Sequence, residues 1–214
     1  MKHDTRAPDA HEAQVFGTAY CVGRTNCEVK FQPIGVAGKT IPVMNNRVPV
    51  SLAYGSFSRP NVQEVLMTLC LAQSDACDGV TLLRRERGQW KAVYHTEGVT
   101  PRDCLTFRRF DRRDQLACRG NEFVMFGVKL HLVTANATHA TQKTLLDGEL
   151  QGCGSNEVIF THLGSWRKQD VNNDRRPDVV VDVYRYKLQL ARSSCPPHEP
   201  SHVEGERTER RWAM

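Results

Sequence analysis

The chain has 214 residues, 40% of them hydrophobic, and a formal net charge of +5. That length allows one or two domains with a sizeable core, and no stretch approaches the roughly 20 apolar residues of a membrane span. The basic residues fall in pairs (Arg84-Arg85, Arg108-Arg109, Arg112-Arg113, Arg175-Arg176) with Asp or Glu interleaved, and aromatics are only 7%. This scatter reads as a solvated surface and argues against nucleic acid, which needs a concentrated basic face, with aromatics where single strands are bound.

Residues 1–14 are charged, with Pro8 and two histidines, and read as a disordered N-terminus without the apolar core of a signal peptide. From Val15 the chain takes on the texture of an all-β protein, punctuated throughout by Gly and Pro, and 15–192 is expected to form one β-repeat domain. Val29 and Phe31 share one side of a short strand, and Val48, Val50 and Leu52 follow at period two. Residues 61–72 read two ways. Asn61 to Glu64 could be a capping box, with Val62, Val65, Leu66 and Leu69 at helical spacing; the favoured reading is a strand. Residues 80–83, a turn at Gly88 and 90–94 form a hairpin pattern. Residues 123–126 and 128–133 alternate as strands, 134–156 look like a long loop, and 184–190 alternate again. From Ser193 the chain carries Pro196, Pro197, Pro200 and dense charge, and reads as a disordered basic tail.

The eight cysteines are even in number and locally spaced, which suggests disulfides and an oxidising compartment. The local pairing is Cys21 with Cys27, Cys70 with Cys77, and Cys104 with Cys118, leaving Cys153 with Cys195. No C-x-x-C pair supports zinc. The expected setting is secreted or periplasmic, as a mature form whose leader has been removed. Free thiols in a cytosol are the alternative. Asn136-Ala137-Thr138 fits a glycosylation acceptor, a tripeptide common by chance.

The most specific stretch is 170–178, DVNNDRRPD, followed by the β-branched run 179–183. Calcium takes six to eight oxygens at roughly 2.3–2.6 Å. Asp170, Asn172, Asp174 and Asp178 would supply side-chain oxygens and Arg176 its carbonyl. An EF-hand would need Gly at the sixth position and Glu at the twelfth, with a helix after it; here stand Arg175 and Val181, in strand composition. A polar Asx-turn without metal is the plain alternative. Degraded copies of the stretch lie upstream: 56–64 before Val65 matches its shape without its acids, and 109–114 before Gln115 is a shortened copy. Their closing acids are Glu64 and Asp114, so the three corners end at 64, 114 and 178.

The stretch 170–178 resembles the FG-GAP repeats (VCBS-like, integrin-α-like) of β-propellers, whose pattern is D-x-[DN]-x-D-G-x-x-D before a short apolar strand. Arg175 departs from it, standing where the family has a Gly that permits positive φ. The resemblance, carried over roughly 50–192, implies three degenerate propeller-like blades with structural calcium at one loop. An irregular antiparallel β-sandwich is the other architecture.

No nucleophile elbow, H-E-x-x-H or P-loop is present. His95-Thr96-Glu97 places an imidazole and a carboxylate on one strand face, and an extracellular hydrolase would draw on His95, Glu97 and Asp111. His131, on an apolar strand, reads as structural. Trp90 and Trp166 read first as core residues. The reading favoured overall is a disulfide-stabilised β-repeat module that binds a protein or glycan partner, with one structural calcium and no assigned catalytic residue. An intracellular inhibitor-type protein is the third possibility.

Overall fold

A computed structural model describes residues 4–34, 39–72, 76–121, 128–146, 150–151, 157–190 and 200–212. The described residues form one helix and fourteen strands, and the fold is all-β, with antiparallel pairing throughout. The elements are α1 (Ala10–Cys21), β1 (Val29–Ile34), β2 (Lys39–Met44), β3 (Arg47–Gly55), β4 (Glu64–Leu71), β5 (Cys77–Glu86), β6 (Gln89–Glu97), β7 (Cys104–Arg108) and β8 (Asp114–Asn121). They continue with β9 (Val128–Ala135), β10 (Ala140–Leu146), β11 (Leu150–Gln151), β12 (Glu157–Gln169), β13 (Asp178–Leu190) and β14 (Pro200–Trp212). The sheets run β1-β2-β3-β4-β5-β6, β10-β9-β8-β7 and β11-β12-β13-β14.

The chain divides into two compact units, 1–118 with 132–142, and 119–131 with 143–214. This differs from the single domain expected over 15–192. In the first unit, β4 is the central strand. Its seven residues from Glu64 to Cys70 are all buried. Val65, Met67 and Leu69 pack with Phe16, Ala19 and Tyr20 of α1. On the other side Leu66 packs with Phe57, Leu82, Leu116 and Val133. A strand covered on both faces shows no alternation, which is why 61–72 could be mistaken for a helix. The strand reading holds.

The N-terminus is ordered, contrary to expectation. Asp9 caps α1: its side chain accepts from Glu12 N (2.8 Å) while the Glu12 side chain accepts from Asp9 N (3.1 Å), a reciprocal capping box. Ahead of it, Arg6 bridges to Leu52, Asp4 N donates to Cys104 O, and Thr5 Oγ1 accepts from Cys104 N (2.9 Å). The charges that suggested disorder satisfy one another: Glu12 takes a hydrogen-bonded ion pair from Arg6 and the hydroxyl of Tyr54. Residues 15–21, expected as β, belong to this helix, whose buried Phe16 and Tyr20 sit one turn apart.

In the second unit, β12 and β13 pair over most of their length, with a bulge between Leu163 and Trp166. Leu163, Trp166, Val179, Val180, Val181 and Val183 are buried. Residues 200–212, expected to lie in a disordered tail, form β14 on β13. Composition misled because such a strand is specified by backbone pairing along β13 and by an ion pair such as Arg167 to Glu209 (2.6 Å), neither of which composition shows. Much of 134–156, expected as loop, is β9, β10 and β11. Asn136 starts the turn between the first two, its Oδ1 accepting from Thr138 N and His139 N.

The disulfides Cys21–Cys27, Cys70–Cys77 and Cys104–Cys118 are formed as expected. The last two join residues directly opposite each other on adjacent strands. Cys153 and Cys195 lie outside the described residues. Among the described residues no helix is long and apolar enough to cross a membrane.

Candidate functional site

The three sequence corners become three hairpin loops, between β3 and β4, β7 and β8, and β12 and β13, one in each sheet. Each closing acid is the first residue of the returning strand, and each is buried: Glu64 is 1% exposed, Asp114 9% and Asp178 2%. In register they face Gly55, Arg108 and Gln169. Each carboxylate accepts a backbone N–H: Glu64 from Ser58 (2.7 Å) and Asp178 from Val171 (3.1 Å) within their own loops, and Asp114 from Ser56 (2.7 Å) of the neighbouring β3–β4 loop. The recurring acid is therefore a structural clamp. It gives buried loop donors a charged acceptor, which a neutral side chain would do less strongly.

The counter-charge differs between corners. Glu64 pairs with Arg84 (3.0 Å) on β5, and Ser58 Oγ joins the group by donating to Glu64 (2.5 Å) and accepting from Arg84 (2.8 Å). Asp114 pairs with Arg108 (3.0 Å) directly opposite. Gly55 is required beside it, because a Cβ there would lie 2.9 Å from Asp114 Oδ2 and 2.8 Å from Phe57 Cζ. Sequence reading missed Arg84 and Arg108 as partners. Their signal is cross-strand register, which appears only once the hairpins are paired.

At the third corner the loop is held by its own acids. Asp170 Oδ2 accepts from Arg175 N (2.8 Å), Asn172 Oδ1 from Asp174 N (3.0 Å) and Asp174 Oδ1 from Arg176 N (2.8 Å), while Asn172 Nδ2 donates to Asp174 Oδ2 (3.1 Å). Asn173 and Arg175 adopt positive φ, 60° and 67°. The arginine that departs from the resembled pattern thus takes up the left-handed backbone for which that pattern uses glycine. Asp170, Asn172 and Asp174 are exposed, Arg176 is half-buried and Asp178 lies beneath.

The donor set suits calcium in kind. Four oxygen-bearing side chains share one short loop, and a carboxylate that accepts one N–H keeps further lone pairs. In arrangement, the side chains are engaged with the loop backbone and with each other. Among the described residues no three His, Cys, Asp or Glu side chains form a group that could hold a metal ion.

The residues considered for hydrolysis have other surroundings. His95 is half-buried, with Nδ1 2.9 Å from Thr81 Oγ1 and its ring edge-on to Tyr20, and burial pushes its pKa down. Glu97 is exposed at the end of β6. Asp111 sits on the β7–β8 loop, where the Arg113 guanidinium (2.6 Å) holds its carboxyl below the usual range. Nucleophilic chemistry has no support in these contacts. His131 is 7% exposed and Trp166 3%, both interior residues as expected, and Trp90 packs edge-on against Phe16.

Comparison with known protein families, with curated proteins and with solved structures finds no match to this chain.

Proposed function

We propose that this protein is a secreted or periplasmic binding module: a disulfide-stabilised β scaffold that presents hairpin corners to a macromolecular partner, a protein or a glycan. The observation that carries the reading is the set of three disulfides, Cys21–Cys27, Cys70–Cys77 and Cys104–Cys118, since such bonds persist in oxidising compartments and are rare in reducing ones. Short hairpin loops pinned by buried acids make a rigid display, which lowers the ordering cost of association. The test is thiol titration of the denatured protein, purified from its native compartment, with and without reductant. The six cysteines of these pairs should react only after reduction. Reaction of all of them without reductant would overturn the proposal.

Within that module we assign the third corner to calcium in a structural role, with Asp170, Asn172, Asp174 and Asp178 as side-chain donors and Arg176 as the carbonyl donor. Two features support it. Arg175 takes the positive φ that such a loop needs, and the residue across the ladder from Asp178 is the neutral Gln169, where Asp114 has an arginine. Bound calcium would stabilise the fold by about 2.7 kcal/mol at a hundred times its dissociation constant. A melting temperature that calcium and chelator leave unmoved would remove the ion, and a calcium-dependent shift that survives Asp174→Ala would place it elsewhere.

A further inference from the structure

The arginine pairs that look scattered in sequence are collected by the first unit. Register places its hairpin turns at one end: Gly55 faces Glu64, Glu64 faces Arg84, and Glu86 faces Gln89. Arg85 N also donates to Gln63 O (2.9 Å). The β7–β8 loop joins the same end, because Ser56 N donates to Asp114 Oδ2 and Asp114 N donates to Ser56 O (2.8 Å). The β3–β4 and β5–β6 turns lie in one row along the end of the six-stranded sheet, and the β7–β8 loop of the sheet β10-β9-β8-β7 meets that row at Ser56.

The row holds the molecule's charge imbalance. Segments 56–64, 84–91 and 108–114 carry nine Lys or Arg against four Asp or Glu, an excess of five that equals the formal net charge of the whole chain. Arg84 and Glu64 cancel inside the fold, but Arg59, Arg85, Arg87 and Arg112 are exposed and form no ion pair among the described residues. Two of these stand in left-handed backbone, Arg87 at φ 49° and Arg112 at φ 61°, a conformation that Gly or Asn takes with less strain. Strain of this kind, met twice with a guanidinium at the tip, points to a surface role. The β7–β8 hairpin is stiffened at its base by Cys104–Cys118 and at its neck by Arg108–Asp114.

We infer that this row of hairpin tips is a docking surface for an anionic polysaccharide, whose sulfate or carboxylate groups would pair with guanidinium forks along an extended chain. The inference rests on the binding-module reading above and names its partner class. Bases of single-stranded nucleic acid would call for several stacking rings. The large hydrophobic residue exposed in these segments is Phe110, at 79%. An oxidising compartment also favours a glycan over an intracellular polyanion.

The test uses the full, disulfide-intact protein on heparin resin and on a sulfopropyl resin, with heparin oligosaccharide titrations across a salt series. We expect elution from heparin at higher salt than from sulfopropyl. The double variant Arg87→Gly with Arg112→Gly should bind heparin about tenfold or more weakly, with a salt slope reduced by about two. Its melting temperature should hold or rise, since glycine suits positive φ. Arg59→Gln with Arg85→Gln should weaken binding similarly. Retention on polygalacturonate as well would extend the support to carboxylate chains. Equal elution from both resins, or an Arg87→Gly/Arg112→Gly protein that binds heparin as the parent does, overturns the inference. Tighter binding of duplex DNA or of phosphatidylserine vesicles than of heparin overturns it too. The module reading fails on a separate result, the thiol count.

Discussion

The β7–β8 corner and the β12–β13 corner are built on the same device with different counter-charges. At the former, Asp114 clamps the backbone of Ser56 and is answered across the ladder by Arg108. At the latter, Asp178 clamps Val171, faces Gln169, and lies under a loop that brings Asp170 and Asp174 of its own. The first corner, with Glu64 and Arg84, follows the arginine solution inside the core. Burying an acid at the start of a strand is thus the constant element, because it draws loop N–H groups inward. The cation is the variable one. Arginine answers the acid at two corners, whereas at the third the loop's own acids hold its backbone.

The largest effect should come from breaking the arginine solution where it is most buried. Glu64→Gln leaves Arg84, among the described residues, only the longer ion pair to Glu86 (3.8 Å). It should cost about 3–5 kcal/mol in urea unfolding, while Glu64→Leu with Arg84→Met should recover only part of it, because Ser58 N and Ser58 Oγ lose their acceptor. Next, Cys104→Ala with Cys118→Ala opens a loop of about 15 residues and should cost about 3 kcal/mol, measured in the same way. Asp178→Ala strips the acceptor from Val171 N and should cost about 1–3 kcal/mol in chelator. A larger cost in calcium than in chelator would sharpen the contrast with Asp114, for which Asp114→Ala should cost the same in both. Arg175→Gly relieves left-handed backbone and should raise stability by about 0.5–1 kcal/mol; a loss instead would mean that the arginine side chain itself holds the loop.

A contact outside the corners gives an effect of similar size. The Arg6 hydrogen bond, helped by Tyr54 and Asp9 N, pulls the Glu12 carboxyl down to about 2 from an ordinary 4.5. Its contribution is complete above pH 4.5 and is lost as pH falls through about 2. Glu12→Gln should therefore lower stability by about 1 kcal/mol at neutral pH, and the two denaturation curves should converge in strong acid. A constant gap at every pH would assign the effect to packing.

The parts legible in sequence are those written within a few residues. The three short cysteine spacings gave the right disulfides, since a hairpin or helix end brings such residues together whatever surrounds them. Glu64, Asp114 and Asp178 were recognisable as a recurring corner because turn chemistry is local, and the turn at Arg87-Gly88 was marked by its glycine, φ 84°. The helix at Ala10–Cys21 was also legible in principle, because Asp9 and Glu12 form a capping box within a stretch whose charge otherwise reads as disorder.

What the chain by itself determined, then, is an all-β texture, its turns, its closing acids and its local disulfides, each fixed by interactions that span few bonds. Tertiary structure alone decided which charges answer which. Arg84 reaches Glu64 through a neighbouring strand, β14 becomes a strand because β13 offers a ladder, and the exposed arginines of the 84–91 and 108–114 segments, distant along the chain, come to one end of the first unit. The reason is physical: backbone pairing is nearly indifferent to side-chain type, so register and strand order, on which these neighbours depend, are settled only when the sheets close around their cores.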